Sequence, residues 1–508
     1  MRWWPLIGIG LLLALLLLWI WFFVGEQRQT RVLATISSVG SAFILALIWL
    51  VFFSRLRWKI RLTVMCLVAA LLGLAFGTIE RRGVTGDVLP LLQWRWTSVP
   101  ADLVVPATRP TDRALAPGSP DDGDAYPQFQ GPRRDGTVEG VRLATDWRAH
   151  PPKQLWRRPI GEGWSGFAVA GPYAVTQEQR GPNELVSCYD RQTGEPIWVH
   201  STPVRHEDPL GGPGPRATPT IDGGCVYALG GTGILNALDL RTGEPLWSTD
   251  VMRDNDARPP PYGVSASPLV LGDLVIVVAG GGEGRSLVAY DGRTGEPVWS
   301  GGDHPAAYNS PILARLAGRD QIVVLNGSHL VGHDAGDGAV LWKYRWPGGT
   351  ENVSQPVVLG DDRLFLSTGY GVGGKLFRIA KNFDGAGEVE LIWESRGLKA
   401  KFTNVVHRDG YLYGLDDGRL ACLDVADGER VWKGGRYGHG QVVLVGDVLL
   451  IQGEGGEVVL VEATPDEHRK LARLEALHGK TWNHPALAGG HLLVRNDREA
   501  ACFELAVE

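Results

Sequence analysis

The sequence predicts an all-β fold, an eight-bladed β-propeller of four-stranded antiparallel blades, preceded by three transmembrane α-helices. Three observations favour it. The first 96 residues contain three long apolar stretches. The remainder repeats a short motif ending in Trp at spacings of 39 to 52 residues, which is typical of propeller blades. Glycine accounts for 68 of 508 residues, nearly twice its usual share of about 7%, and indicates many tight turns between short strands.

Residues 1–96 are predicted to be a membrane anchor. They carry ten Lys or Arg against three Asp or Glu, whereas the rest of the chain carries 40 against 53. Three stretches without charge, at about 3–24, 32–53 and 62–79, have the length that a helix needs to cross the hydrocarbon layer. The acidic balance of the remainder argues against nucleic-acid binding.

The loop between the second and third spans predicts the orientation. Arg55, Arg57, Lys59 and Arg61 lie there within seven residues, and the positive-inside rule places such a loop in the cytoplasm. Everything after the third span then lies outside. We therefore expect an integral protein of the cell (inner) membrane with its C-terminal domain on the periplasmic or extracytoplasmic side, joined through a Pro- and Asp-rich linker at 97–124.

The repeated motif predicts the blades of a domain at 125–508. Its clearest copies, CYDRQTGEPIW, ALDLRTGEPLW and AYDGRTGEPVW, end at Trp198, Trp247 and Trp299. In each, the Asp accepts backbone N–H groups of a tight turn, the Gly supplies a positive φ, and the Trp packs between neighbouring units. The predicted structural anchors are Asp190, Gly194, Trp198, Asp239, Gly243, Trp247, Asp291, Gly295, Trp299, Trp342 and Trp432.

The two ends of the domain complement each other. A strand around Trp156 lacks the three strands that should precede it, and the last unit, 485–507, stops before its Trp strand. The sequence therefore predicts that residues 153–160 complete the last blade and close a ring of eight. Ring closure removes exposed sheet edges.

The D-x-x-TGE-x-x-W motifs at Asp190, Asp239 and Asp291 resemble the PQQ-like β-propeller repeat family, also called quinoprotein alcohol dehydrogenase-like. The segments YPQFQGPRRDG and PPKQLWRRPIGEGWSGFAVA resemble openings of bacterial members. The resemblance implies one of two activities. Some members are dehydrogenases that bind pyrroloquinoline quinone (PQQ) and calcium in the central funnel, whereas a BamB-like branch binds other proteins without a cofactor.

The cysteines favour the BamB-like branch. Alcohol-dehydrogenase members carry two adjacent cysteines against the quinone, and this chain has none adjacent. Cys188, Cys422 and Cys502 fall at one blade position, where other copies have Ala or Gly, and are expected to be core residues. We therefore expect no catalytic residue, no metal ligand and no cofactor. The alternative is a PQQ- and calcium-dependent membrane dehydrogenase of an alcohol or sugar.

The candidate binding site is the ring of residues that precede each innermost strand, because these loops converge on one mouth of the channel. One interpretation is that they merely plug the channel and cap strands. The other is that Trp, Tyr and Arg side chains form a recognition patch for a protein or peptide partner. The first ring position includes Val353, and the candidate site residues are Trp164, Ser165, Arg216, Ser265, Tyr308, Asn309, Ser354, Lys401, Phe402, His439, Trp482 and Asn483.

Overall fold

A computed structural model describes residues 3–25, 27–97, 124–349, 351–381 and 387–508. Most of the predicted linker, 98–123, lies outside these residues. The chain forms two compact units, the N-terminal helices with a short hairpin and the β-domain.

The N-terminal unit contains three helices long and apolar enough to cross a membrane, as the sequence predicted. They are Trp4–Phe23, Arg28–Ile48 with a π-helical continuation Trp49–Phe53, and Trp58–Thr78. The second and third begin four residues before the predicted uncharged stretches, at Arg28 and Trp58. Helices extend into such charged flanks because long basic side chains reach the polar interface while their stems cover apolar surface.

A hairpin that the sequence analysis did not anticipate follows the third helix. Ile79–Val84 pairs with Pro90–Trp94, and a 3₁₀ turn covers Arg95–Thr97. The Trp94 and Trp96 rings stack with centroids 5.0 Å apart. Arg28 Nε lies 3.2 Å from Asp87 Oδ2, so the turn of the hairpin is ion-paired to the second helix.

The β-domain is the predicted propeller of eight four-stranded antiparallel blades. The first strand of each blade lies innermost, since first strands of neighbouring blades contact one another around the channel. Blades 1 to 4 comprise Ala168–Ala170, Tyr173–Arg180, Asn183–Asp190, Pro196–Thr202; Thr220–Asp222, Cys225–Leu229, Ile234–Asp239, Pro245–Asp250; Leu269–Leu271, Leu274–Val278, Leu287–Asp291, Pro297–Gly301; and Ile312–Leu316, Arg319–Asn326, His329–Asp334, Val340–Arg345. Blades 5 to 8 comprise Val357–Leu359, Arg363–Thr368, Gly373–Lys381, Gly387–Ser395; Val406–Arg408, Tyr411–Asp416, Arg419–Asp424, Arg430–Gly434; Gln441–Val445, Val448–Gln452, Glu457–Glu462, Lys470–Glu475; and Ala486–Ala488, His491–Arg495, Glu499–Glu504, Lys153–Pro159. A short pair, Glu207–Asp208 with Gly212–Pro213, and a helical turn, Val251–Asp254, lie in the loops beside blade 2.

The predicted ring closure is confirmed. Lys153–Pro159 pairs antiparallel with Glu499–Glu504 and supplies the outermost strand of blade 8. Trp156 lies opposite Cys502, which is buried like Cys188 and Cys422, as expected for core residues.

The motif tryptophans join neighbouring blades. Trp198 Nε1 donates a hydrogen bond to the Leu240 carbonyl of blade 2 (2.8 Å), and a Cβ at Gly243 would lie 2.5 Å from the Trp198 ring. Position 243 therefore needs glycine for two reasons. The turn requires a positive φ, here +71°, and the Trp198 ring leaves no room for a Cβ. Asp190 Oδ1 accepts the N–H of Gln192 and Thr193, as the motif predicted. The same Trp bond to the next blade is made by Trp156, Trp247, Trp393 and Trp432, which reach the carbonyls of Arg191, Gly292, Val425 and Thr464.

Two tryptophans depart from this pattern. Trp342 donates instead to Gln321 Oε1 of its own blade at 2.6 Å. Trp299 packs on Gly338, but its Nε1 has no hydrogen-bond partner in the described part of the chain.

Residues Tyr126–Val138, which we call the axial segment, cross the inside of the ring. Tyr126 bridges to Val169 of blade 1, and the Pro127 carbonyl accepts the Ile221 N–H of blade 2. Arg134 donates to the Ser267 and Pro268 carbonyls before blade 3. Gln130 donates to Gln355 before blade 5, and Thr137–Val138 pairs parallel with Leu444–Val445 of blade 7. The segment that resembled a family opening is thus a filling of the channel, which the sequence analysis did not foresee.

Candidate binding site at the mouth of the channel

The predicted ring residues lie in the loops that lead into the innermost strands. Trp164 precedes blade 1, Tyr308 precedes blade 4 and Trp482 precedes blade 8. Because the chain enters every innermost strand at the same end, these loops gather at one mouth of the channel. We call this end the aromatic mouth.

Four of the predicted side chains form one aromatic cluster, defined as Trp164, Phe402, His439 and Trp482. The Trp482 ring lies 5.1 Å from Trp164 and 5.2 Å from Phe402, and Phe402 meets His439 edge-on at 5.5 Å. These centroid distances are those of favourable aromatic pairs. Phe402 and Trp482 remain partly exposed, whereas Trp164 and His439 are buried beneath them. The cluster therefore presents two rings to solvent on a rigid aromatic base.

Two lysines lie over these rings. Lys480 Nζ is 4.1 Å from the centroid of Trp482 and 4.4 Å from that of Trp164. Lys401 Nζ lies 5.0 Å from the Phe402 centroid and 4.9 Å from Tyr370. Both positions are within cation–π range, so this side of the mouth combines aromatic faces with positive charge.

The opposite arc, before blades 2 to 4, is more enclosed. The Arg216 guanidinium is mostly buried, ion-paired with Asp208, and donates to the Gly214 carbonyl. Burial lowers the pKa of Arg216, and the neighbouring Asp208 carboxylate opposes that shift. Tyr308 is 8% exposed, stacks near Tyr262 at 5.6 Å, and its hydroxyl pKa is raised to about 12, chiefly because of burial. Ser265 donates its hydroxyl proton to the Tyr308 carbonyl at 3.3 Å.

The second ring position lies inside the blades. Asn309 Nδ2 donates to the Leu325 carbonyl and its Oδ1 accepts the Leu325 N–H. Asn483 bridges the Gly163 and Ser165 carbonyls. Ser165 and Ser354 are fully buried. Asn309 and Ser165, which accepts the Gln177 N–H at 3.2 Å, thus tie their loops to the second strand of their own blade, whereas Asn483 ties its loop to that of blade 1.

Several mouth residues were missed by the sequence analysis. Tyr262 precedes the predicted ring position of its blade by three residues, and Lys480 precedes Trp482 by two. Tyr370 and Glu454 lie in turns between second and third strands, which open at the same mouth. Aligning one loop position per blade could not find them. Including the second-to-third-strand turns would have found Tyr370 and Glu454.

The mouth does not fit PQQ with calcium. Glu454 accepts the Trp482 indole N–H at 2.9 Å and the His439 backbone N–H at 3.1 Å, and Asp208 is paired with Arg216. In the described residues no three His, Cys, Asp or Glu side chains are grouped as metal ligands. The axial segment, moreover, fills part of the funnel. We derive no chemical step through a quinone.

A family model of PQQ-like repeats, described as "Outer membrane protein assembly factor BamB", matches residues 182–434. Over these residues, which lie in blades 1 to 6, the propeller matches the PQQ-like repeat family. No curated protein sequence matches the chain.

Solved structures share the fold of this PQQ-like propeller at low identity. A quinohemoprotein alcohol dehydrogenase from Comamonas testosteroni is 13% identical with a TM-score of 0.52, over 75% of this chain and 80% of that one. Quinohemoprotein alcohol dehydrogenase ADHIIG from Pseudomonas putida HK5 is 13% identical with a TM-score of 0.53, over 76% and 81%. BamB from Moraxella catarrhalis is 16% identical with a TM-score of 0.49, over 70% and 99%. At these identities the likeness establishes the fold alone.

Proposed function

We propose that this protein is a membrane-anchored scaffold without catalytic activity, whose propeller binds a protein or peptide partner at the aromatic mouth. The observation that carries the proposal is the aromatic cluster. Phe402 and Trp482 are partly exposed on the buried rings of Trp164 and His439. Aromatic side chains on a rigid base are the residues on which most binding energy concentrates in protein interfaces.

The surroundings of the cluster favour a peptide over a small metabolite. The two exposed rings project from loops at the mouth rather than from an enclosed pocket. Lys401 and Lys480 add positive charge beside them, and Glu454 adds negative charge. An apolar centre with a charged rim is the usual composition of a protein interface. The family match supports a protein partner too, because that family is described as an assembly factor.

The dehydrogenase alternative has weaker support. It rests on a fold shared with quinohemoprotein alcohol dehydrogenases at 13% identity, and a fold alone does not carry an activity. The Glu454 and Asp208 carboxylates are already engaged by neighbouring residues of this chain. The scaffold is therefore the function that the mouth supports best.

Partner binding is expected to depend on the two exposed rings. We expect the full-chain Phe402→Ala/Trp482→Ala variant, solubilised from native membranes, to lose about tenfold or more of its captured partner, because two hot-spot side chains are removed. Quantitative mass spectrometry after affinity purification measures the loss.

A matched variant controls for unspecific loss of apolar surface. Leu391 and Val431, on outer strands of blades 5 and 6, are more exposed than Phe402 and Trp482, and Leu391→Ala/Val431→Ala should capture the partner as the wild type does. Equal capture by the mouth variant and the wild type, with both folded, would contradict the proposed site.

The proposed location is extracytoplasmic. The basic loop between the second and third apolar helices supports this, because the positive-inside rule predicts that loop in the cytoplasm, and with it the N-terminus inside and the propeller outside. An alkaline phosphatase fused after Glu508 should therefore be active, since this reporter folds only outside the cytoplasm. A fusion after Lys59, in the second loop, should be inactive. The opposite pattern would reverse the proposed orientation.

A further inference from the structure

The end of the channel opposite the aromatic mouth contains a cavity of about 650 Å³. It lies between the axial segment and the innermost strands of blades 4 to 7. Its wall includes Asp409 and Gly446, which lie in turns between first and second strands, and these turns mark the far end of the blades. The volume is within the range of about 300–1,000 Å³ that is usual for small-molecule sites.

The wall of this cavity combines apolar residues with charged ones. Ile312, Leu313, Val357, Val405 and Leu444 contribute the apolar part. The charged residues of the wall are Arg133, Arg134, Arg315, Arg408, Asp135, Glu139 and Asp409. Four arginines thus face three carboxylates, and the wall carries an excess of one positive charge.

Three of these arginines have carboxylate partners. Arg133 pairs with Asp135 at 3.0 Å and also with Glu139. Arg315 pairs with Asp320 at 3.0 Å and Arg408 with Asp409 at 3.1 Å. With Asp320 included, four carboxylates balance the four arginines in number, but two of them pair with Arg133, and Arg134 is the arginine of the wall that pairs with none in the described residues.

Arg134 is the most buried arginine of the wall and is only 3% exposed. It donates to the carbonyls of Ser267 and Pro268 and to Gln128 Oε1, all of which are neutral acceptors. Within the described ranges no carboxylate lies at ion-pair distance from it. Burial without a counter-charge lowers the pKa of Arg134 to about 9. A buried arginine normally has an anionic partner, because an uncompensated buried charge is costly.

The backbone at this position is also unusual. Arg134 adopts φ +56° and Gln130 adopts φ +63°, both in the left-handed region that favours glycine. Such conformations cost free energy and persist where the surrounding structure holds them, which is frequent at ligand sites. Both the backbone strain and the desolvation of Arg134 therefore cost free energy at this part of the cavity wall.

We propose that this cavity binds a small organic carboxylate with an apolar body, and that Arg134 supplies the counter-charge for the carboxylate. The apolar strands of blades 4 to 7 hold the body of the ligand. The site is independent of the aromatic mouth, because it lies at the other end of the channel. Arginine suits this role since its planar guanidinium recognises carboxylates directionally.

The test uses the full chain in lipid nanodiscs and 2-naphthoate as the probe, titrated by calorimetry against empty nanodiscs. The neutral 2-naphthamide has the same body without the charge. Wild type should bind 2-naphthoate saturably and about tenfold or more tightly than 2-naphthamide, since a buried charge is neutralised only by the former. Arg134→Met should abolish that preference.

A second variant keeps the proposal falsifiable if Arg134→Met fails to fold. Leu313 lines the cavity and is 44% exposed, so Leu313→Trp should fill the space and abolish binding of both probes. Leu391→Trp, on an outer strand, and the mouth variant Phe402→Ala/Trp482→Ala should both bind as the wild type does. Unchanged binding by Leu313→Trp, equal affinity for the two probes, or no saturable binding would each overturn the proposal.

Discussion

The Trp156→Ala variant is expected to lose about 4 kcal/mol of unfolding free energy, the cost of removing a buried Trp ring. The ring fills the seam between blades 8 and 1. A Cβ at Gly194 would lie 2.6 Å from it, and its Nε1 donates to the Arg191 carbonyl at 2.8 Å. Denaturant unfolding followed by Trp fluorescence measures the loss.

Removing the Trp156 ring at this seam is expected to destabilise the domain more than removing an equivalent ring at another seam. Trp247 makes the same contacts between blades 2 and 3, with a 2.8 Å bond to the Gly292 carbonyl. The chain runs directly from Pro245–Asp250 into blade 3, and likewise from Lys153–Pro159 into blade 1. Within blade 8, however, Lys153–Pro159 is joined to Glu499–Glu504 by strand pairing alone, since these strands come from the two ends of the domain. Trp247→Ala should therefore keep a single cooperative transition, and Trp156→Ala should broaden or split it. If the denaturant midpoint of Trp156→Ala equals that of the wild type, Trp156 is not needed to hold the closing strand in place, which contradicts this prediction.

Most of the propeller was predictable because its signal is local and repeated. In five blades the turn between the third and fourth strands has an Asp acceptor and a Gly at positive φ, and a Trp ring of the preceding blade packs over that Gly. These features recur in sequence at Trp198, Trp247 and Trp299. The ring closure was also predictable. The strand around Trp156 lacked the three strands of its blade, and the last unit, 485–507, lacked its Trp strand.

The axial segment was not predictable by the same logic. Its contacts reach blades 1, 2, 3, 5 and 7 and the loop before blade 8, at sequence separations of up to 358 residues, as between Tyr126 and His484. It has no period-two alternation, since it lies across the channel rather than within a blade. Its two left-handed residues, Gln130 and Arg134, are not glycines and so leave no sign in the sequence.

The sequence predicted where the residues of the aromatic mouth lie, but not which of their side chains are exposed to solvent. Aligning the loops placed Trp164, Phe402, His439 and Trp482 together, because equivalent loops of a ring converge. Which of them face solvent depends on neighbours that the alignment cannot supply, such as Asp208 beside Arg216. Tyr308 and Arg216 therefore proved mostly enclosed, while Phe402 and Trp482 remain accessible.

A buried ion cluster beneath the aromatic mouth should also be critical for stability. Asp416 is fully buried, with Oδ1 2.8 Å from Lys399 Nζ and Oδ2 2.5 Å from Lys433 Nζ. Lys399 itself is only 3% exposed. Removing the carboxylate leaves a buried ammonium whose remaining carboxylate, Asp417, is 3.8 Å away. We expect Asp416→Asn to cost about 3 kcal/mol of unfolding free energy.

Two further variants separate this ion cluster from an ordinary surface pair. Asp320→Asn breaks the exposed Arg315–Asp320 pair and should cost less than about 1 kcal/mol. Asp416→Asn/Lys399→Met removes both buried charges and should recover much of the loss, because the stranded ammonium is gone. Urea unfolding midpoints of Asp416→Asn, Asp320→Asn and the double variant measure the three losses of stability.

The Asp416→Asn substitution should also weaken partner binding, although it changes no side chain of the aromatic mouth. Asp416 Oδ1 accepts the Lys399 N–H at 3.1 Å, and Asp416 bridges to Ala400, so it fixes the backbone that carries Lys401 and Phe402. Loosening that backbone adds an ordering cost to every binding event at the aromatic cluster. Asp416→Asn should therefore reduce capture of the partner below that of Asp320→Asn at a temperature where both are folded. Equal capture by Asp416→Asn and Asp320→Asn would show that the buried ion cluster stabilises blade 6 without positioning Phe402.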